Sequence, residues 1–63
     1  MEDDSELLTT GEAARLMRVP GSTLVYWRGR GEGPQSFRIG RRVVYRRHEI
    51  DRWIRAQETA GVA

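Results

Sequence analysis

The chain has no cysteine, no lysine and a single histidine among its 63 residues. Without cysteine there is no disulfide and no thiolate ligand, and His48 alone cannot supply the four ligands of a structural zinc site. No apolar run approaches the roughly 20 residues that a membrane helix needs, and the N-terminus is acidic where a signal peptide would be basic. The length of 63 residues predicts one domain. These absences predict a cytoplasmic protein that uses no cofactor, metal, small-molecule ligand or membrane.

The sequence also lacks the combination of residues that a catalytic site needs. His48 has no second histidine, cysteine or suitably partnered carboxylate with which to form a base and a nucleophile. The glycine-rich run at 29–34 follows a predicted helix and precedes a predicted strand, which is the reverse of a phosphate-cradling loop, so we interpret it as a connector. We predict no catalytic residue and a protein that is not an enzyme.

The charge is distributed unevenly although the net charge is only +2. Residues 1–12 carry five acids and no base, whereas residues 13–47 carry nine arginines and one acid, Glu32. This strongly basic segment predicts a surface that binds a polyanion. Arginine suits bidentate contact with phosphate or guanine, but the codon bias of a GC-rich genome would equally explain why no lysine occurs.

A capping box predicts where the first helix begins. Thr9 and Glu12 have the S/T-x-x-E spacing, and Leu8 precedes them as an apolar staple. Helical periodicity places three apolar residues on the buried side. The predicted buried stripe is Ala13, Leu16 and Met17.

A tight turn and a second helix are predicted next. The first helix should end near Arg18, because Pro20 and Gly21 follow. Arg18 stands where glycine best supplies a left-handed residue, so the turn either costs about 1 kcal/mol or uses another geometry. The second helix should run from 21 or 22 to 28 or 29, with Leu24 and Trp27 facing inward. Its other side presents side chains that suit base edges and phosphates: Ser22, Thr23, Val25, Tyr26, Arg28 and Arg30.

These helix residues have a purely structural alternative. Ser22 and Thr23 could merely cap the second helix, and Tyr26 could close the core. The set of hydroxyls, aromatic ring and flanking arginines favours binding over structure.

The run from Phe37 to Tyr45 alternates apolar and basic residues around a glycine and predicts a β-hairpin. Its tip is either Gly40-Arg41 or Arg41-Arg42. The arginines could protect an exposed strand edge from pairing with another strand. Because the tip carries only positive charges, contact with DNA is favoured over this alternative. We expect Phe37 and Ile39 to share one face, as do Val43 and Tyr45, while Arg38, Val44 and Arg46 point the other way.

The last helix is predicted from about His48 to residue 57 or 60. Ile50, Trp53 and Ile54 have the spacing of a buried stripe. Trp53 is expected to meet Trp27 and Tyr45 at the centre of the core.

Four motifs together resemble the small winged-helix proteins of the excisionase and AlpA type, which are relatives of the MerR DNA-binding domain. They are E-A-A at 12–14, T-x-x-x-W-R at 23–28, R-I-G-R at 38–41 and D-x-W-I at 51–54. The resemblance covers about residues 7–56. Arg18 in place of the usual turn glycine, and His48 in place of the usual serine cap, depart from the family pattern.

The expected fold class is α+β: a winged helix-turn-helix of three short helices, with a two-stranded β-hairpin wing between the second and third. The expected domain is 7–58, between a flexible acidic arm, 1–6, and a flexible tail, 59–63. The resemblance implies that the second helix enters the major groove and that the wing follows the backbone or the adjacent minor groove. The wing contacts would be Arg38, Gly40, Arg41 and Arg42, and further backbone contacts would come from Arg15, Arg18, Arg46 and Arg47.

The resemblance implies double-stranded DNA as the partner and a nucleoid-associated location. Its leading form is an excisionase: a monomer in solution that binds repeated sites cooperatively, bends DNA and directs a phage or plasmid integrase towards excision. The first alternative is a small transcription regulator of the AlpA or BldC type. The second, from another class, is a protein-interaction module that binds acidic partners through its arginines.

Overall fold

The computed structural model describes residues 6–61, so most of the predicted acidic arm and the last two residues lie outside it. The predicted α+β fold class is confirmed, with three helices and a β-hairpin between the second and third. The elements along the described residues are β1 (Leu7–Thr9), α1 (Thr10–Met17), α2 (Gly21–Gly29), β2 (Ser36–Ile39), β3 (Arg42–Arg46) and α3 (Arg47–Gly61).

The first helix begins where the capping box predicts. The Thr9 hydroxyl accepts a hydrogen bond from the backbone N–H of Glu12 (3.1 Å), and the Glu12 carboxylate accepts one from the backbone N–H of Thr9 (2.8 Å). The two bonds satisfy backbone groups that a helix N-terminus otherwise leaves unpaired. Because Thr9 is also the last residue of β1, the same bonds fix the angle between strand and helix.

The buried stripe of α1 differs from the predicted one. Ala13 and Ala14 are buried and Met17 packs against the core, whereas Leu16 is 39% exposed. Successive helical residues are rotated by about 100° around the helix axis. The predicted stripe, which included Leu16, was therefore centred on a different side of the helix from the one that is buried. The helix contacts both α2 and β3. Small alanine side chains allow this close approach on two sides, and the larger leucine lies outside it.

The turn between α1 and α2 uses the left-handed geometry. Arg18 has φ 62° and ψ 40°. The N–H of Arg18 donates to the carbonyl of Arg15 (3.2 Å), and the N–H of Val19 donates to the carbonyl of Ala14 (3.0 Å). These are the two bonds of a Schellman motif, which satisfy carbonyls at the helix end. Val19 also packs against the core, so tertiary contact helps to hold an arginine where glycine is favoured.

The glycine-rich connector ends α2 and packs against it. The N–H of Glu32 donates to the carbonyl of Trp27 (2.8 Å), and Gly31 has a φ of 71°. Gly33 has a φ of 80°, and a Cβ there would lie only 3.1 Å from two atoms of Trp27. The position therefore requires glycine both for its backbone and for its close approach to the indole.

The sheet has one strand more than the predicted hairpin. Its order is β1-β3-β2, and both pairings are antiparallel. Leu8 of β1 lies opposite Tyr45, and the N–H of Arg47 donates to the carbonyl of Glu6 (2.9 Å). The segment before α1 thus covers one edge of β3, which becomes the central strand.

The predicted assignment of hairpin faces is confirmed within each strand, except that Arg38 lies on the same face as Val43 and Tyr45, and Phe37 and Ile39 lie on the same face as Val44 and Arg46. Ile39 pairs with Arg42, so the loop has two residues, Gly40-Arg41, and Phe37 lies opposite Val44. Directly opposite residues share a face, and a two-residue loop pairs odd-numbered positions with even-numbered ones. The core face carries Arg38, Val43 and Tyr45, and the outer face carries Phe37, Ile39, Arg42, Val44 and Arg46.

The core is centred on Tyr45, Leu24 and Ile50, each at most 1% exposed. Trp53 meets Trp27 as predicted, with ring centroids 5.1 Å apart and planes inclined by 42°. Both indoles are half-buried, so this pair lies at the edge of the core and the tyrosine occupies its centre. Helix α3 ends at Gly61, one residue beyond the later of the two predicted ends.

Replacing Arg18 with glycine should stabilise the domain. Glycine adopts the left-handed backbone without the Cβ clash, so we expect a gain of about 1 kcal/mol. In a domain of this size the melting temperature should rise by about 4–8 °C. Thermal unfolding followed by circular dichroism measures the change.

Arg15→Gly is the matched control, because it removes the same charge from inside α1. Glycine there is about 1 kcal/mol less favourable than a good helix former. The two variants should therefore shift the melting temperature in opposite directions. Shifts of the same sign would contradict the importance of the backbone geometry at Arg18.

Candidate nucleic-acid interface

The outward face of α2 carries the residues that the sequence pattern singles out for binding. Leu24 is buried and Trp27 is half-buried against the core, which turns the opposite side of the helix to solvent. On that side Val25 is 50% exposed and Tyr26 is 60% exposed. An exposed aromatic ring beside an exposed apolar residue suits a surface that is covered on binding.

The structural alternative for these residues is wrong. The N-cap of α2 is Pro20, which makes no side-chain capping bond, and Ser22 and Thr23 lie inside the first turn of the helix. Ser22 is exposed and Thr23 half-buried. Tyr26 does not close the core, since more than half of its surface is exposed.

The hairpin presents exposed arginines around a narrow tip. Arg38, Arg41 and Arg42 are exposed. Within residues 6–61, none of the three has an acidic partner among the ion pairs found. Gly40 has a φ of 64°, as at the first loop position of a type II′ turn, and has no atom near its Cβ direction. The tip is therefore slim and positively charged.

A cleft brings the exposed helix face and the hairpin together. Its volume is about 440 Å³, and it lies between α2 and the two hairpin strands. Three predicted site residues line it: Val25 and Arg28 from the helix and Arg38 from the hairpin. Phe37 and Val43 add apolar surface. One ligand that follows this cleft would touch both predicted contact regions.

Arg28 joins the two walls of the cleft. It is half-buried, and its Nη1 donates a hydrogen bond to the Tyr45 hydroxyl at 3.4 Å. Tyr45 is itself 1% exposed, so the bond links α2 to the central strand from inside the fold. Arg28 thus lines the cleft while it is hydrogen-bonded to a residue of the core.

Three other candidate arginines are engaged with neighbours. The Arg30 Nε lies 3.5 Å from a Glu32 carboxylate oxygen, and its guanidinium lies 5.4 Å from the centre of the Tyr26 ring. The Arg46 guanidinium lies 5.6 Å from the Phe37 ring. Arg47 contacts two carboxylates, those of Glu6 (3.8 Å) and Asp51 (3.6 Å), and its buried Nε makes no hydrogen bond with the described residues.

The remaining candidates, Arg15 and Arg18, lie at the C-terminal end of α1. Both side chains are exposed. Arg47, which is also proposed as a backbone contact, has two carboxylates within 4 Å. Sequence spacing did not indicate this, because Glu6 and Arg47 are brought together only by the pairing of β1 with β3.

Phe37 and Ile39 were not among the predicted site residues, yet both are exposed, by 40% and 52%. The sequence did contain the relevant signal. A two-residue loop centred on Gly40-Arg41 sets the parity of the strand pairing and turns these side chains away from the core.

The described residues contain no cluster of three or more potential metal ligands. His48 Nε2 lies 3.3 Å from a Glu49 carboxylate oxygen, and the same oxygen accepts a hydrogen bond from Arg52 at 3.1 Å. Within residues 6–61, no helix is both long and apolar enough to span a membrane.

A family model described as a helix-turn-helix domain matches residues 7–58. The matched region begins with β1, includes the α1–α2 pair and the hairpin, and extends into the last turn of α3. No curated protein and no solved structure matches the chain.

Replacing Tyr45 with phenylalanine should destabilise the domain slightly. The ring remains packed, but the half-buried Arg28 is deprived of a hydrogen-bond acceptor. A typical hydrogen bond contributes about 0.5–1.5 kcal/mol, and a bond of this length should lie at the lower end. Urea unfolding of the two proteins measures the difference.

Tyr26→Phe provides the control, because it removes the same hydroxyl from an exposed ring. Its stability should equal that of the wild type within error. If both variants were destabilised by the same amount, the bond between Arg28 and Tyr45 would not explain the effect.

Proposed function

The chain belongs to the helix-turn-helix domain family, of the excisionase and AlpA type, a family of DNA-binding domains, and from this premise we propose that α2 and the hairpin bind one DNA duplex together. Helix α2 would enter the major groove, and the hairpin would act as a wing on the backbone or in the adjacent minor groove. The cleft between α2 and the hairpin supports this proposal most directly, because it sets the helix face and the arginine wing side by side.

The proposed contacts divide into three groups. The helix would read base edges through hydroxyl, aromatic and guanidinium groups, whereas the wing would contact phosphates. Arg47 ranks last among the backbone contacts because it would have to leave two carboxylates. The helix group is Ser22, Thr23, Val25, Tyr26, Arg28 and Arg30; the wing group is Arg38, Gly40, Arg41 and Arg42; the backbone group is Arg15, Arg18, Arg46 and Arg47.

Within this family we propose the role of an excisionase. A single small module buries little DNA surface, towards the low end of the range for specific complexes. Several copies side by side, or a partner already on the DNA, would add the surface that specificity needs. An excisionase meets this requirement by binding repeated sites cooperatively, bending the duplex and directing an integrase. A transcription regulator of the AlpA or BldC type would use the same surface at a promoter.

The test is to incubate the purified protein with fragments of its source genome, recover the bound DNA and footprint it. Tandem protected repeats beside an integrase attachment core are expected. Protection confined to a promoter would favour the regulator instead. Enrichment no greater than that of random DNA would contradict DNA binding and favour a protein-interaction module.

Changing Arg41 and Arg42 together to alanine should weaken binding to every DNA sequence. For each phosphate that the wing no longer neutralises, the negative slope of log K against log salt should become shallower by about one unit, because fewer counterions are released on binding. Fluorescence anisotropy titrations at several salt concentrations, with specific and random duplexes, measure both effects. An unchanged slope would remove the wing from the interface.

The matched comparison is Tyr26→Ala or Thr23→Ala on the helix. These variants should discriminate less between specific and random DNA, by about 1–3 kcal/mol for each good base contact, and keep the salt slope. Equal weakening on both duplexes would make these residues backbone contacts.

A further inference from the structure

The end of the hairpin carries an apolar side chain with no cover. Ile39 is 52% exposed, although it lies beside the tip of a sheet that has an apolar core face. The register places it on the outer face, opposite Arg42. It is followed at once by Gly40, which has no side chain to shield it. Ile39 is therefore the outermost apolar group of the wing.

The residues around Ile39 are positively charged, which distinguishes it from an ordinary exposed apolar residue. Arg38 precedes it in sequence, Arg41 follows one residue later, after Gly40, and Arg42 faces it across the hairpin. Phe37, the other exposed apolar residue of β2, lies two positions back from the tip and has the Arg46 guanidinium over its ring. β2 is an edge strand of the sheet, and its last residue is this isoleucine.

The dimensions of a hairpin limit how its tip can meet DNA. Two paired strands lie about 4.8 Å apart before their side chains are counted, and the minor groove of B-DNA is about 6 Å wide. The tip can enter only if the groove opens. Proteins that open it commonly insert an apolar side chain between neighbouring base pairs, which partly unstacks them and kinks the duplex by about 20–90°.

We propose that Ile39 is such a wedge: the wing enters the minor groove, and this side chain inserts at a base step while the arginines around it contact the phosphates on both sides. The inference rests on the proposed function, in which the wing meets DNA. It adds to that function what the tip of the wing would bind, namely a stacked base step. Flexible pyrimidine–purine steps, which unstack at the lowest cost, are the expected targets.

The test uses a short DNA duplex that carries one site identified by the footprinting experiment. Donor and acceptor dyes at the ends of the duplex report bending, and a fluorescent adenine analogue placed at successive base steps reports unstacking. Wild-type protein should bring the ends closer and raise the fluorescence of the analogue at one step under the wing. Ile39→Ala and Ile39→Ser should abolish both signals at saturating protein while still binding the duplex. Circular dichroism checks that both variants fold.

Leu7→Ser is the matched control. Leu7 is 42% exposed on the same outer face, but it lies on β1, the opposite edge strand, and pairs with Arg46 at the far end of the hairpin. This variant should keep the bend and the fluorescence change. The disappearance of both signals in Leu7→Ser as well as in Ile39→Ser would attribute them to the sheet face in general and overturn the wedge.

The remaining outcomes separate the wedge from the proposed function. If Ile39→Ser binds and bends DNA as the wild type does, the wedge is wrong and DNA binding stands. If wild-type protein binds without a bend or a fluorescence change, the wedge is wrong and the architectural role loses its support. If wild-type protein does not bind the duplex, both proposals fail.

Discussion

The packing of Tyr45 is the constraint on which the rest of the structure depends. It lies on β3, the central strand, and its ring shares the core with Leu24 of α2 and Ile50 of α3. The residues that the structure describes form one core cluster, and a chain of this size buries only about 60% of the surface of its unfolded form. Tyr45 therefore helps to hold α2 and α3 against the central strand. Its hydroxyl also reaches Arg28, so the same residue connects the core to the proposed interface.

Most elements of the fold could be predicted because their signals are local. The capping box at Thr9, the proline and glycine before α2, and the glycine at the hairpin tip each lie within a few residues of the boundary that they set. Strand β1 could not be predicted, since three residues, Leu7–Thr9, carry too little pattern and extend only by pairing with β3, far along the chain. The same pairing brings Arg47 to Glu6, which no spacing in the sequence indicates.

The candidate site shows the same division between local and distant information. Composition predicted a basic surface, and helical periodicity predicted which side of α2 faces outward, because both depend on residue type and spacing. Which arginines are available depends on the tertiary structure. Arg41 and Arg42 lie exposed at the tip, whereas Arg47 is held by two carboxylates and Arg28 by a buried hydroxyl. An arginine that must leave a partner contributes less to binding than an exposed one, because breaking the existing pair offsets the new interaction.

The exposed apolar side chains indicate that the proposed interface would bind DNA through two kinds of contact, charged and apolar. Four of the six large hydrophobic residues exposed in the described part of the chain lie on α2 or on β2 of the hairpin: Val25, Tyr26, Phe37 and Ile39. Contacts between arginine and phosphate weaken steeply with salt, whereas burial of apolar surface is largely independent of it. An interface built from both kinds of group should find DNA through the wing arginines and stay on a chosen site through the apolar contacts. Specificity would then rest on close fit in the grooves rather than on charge, and that fit would depend on how α2 and the hairpin are placed relative to each other.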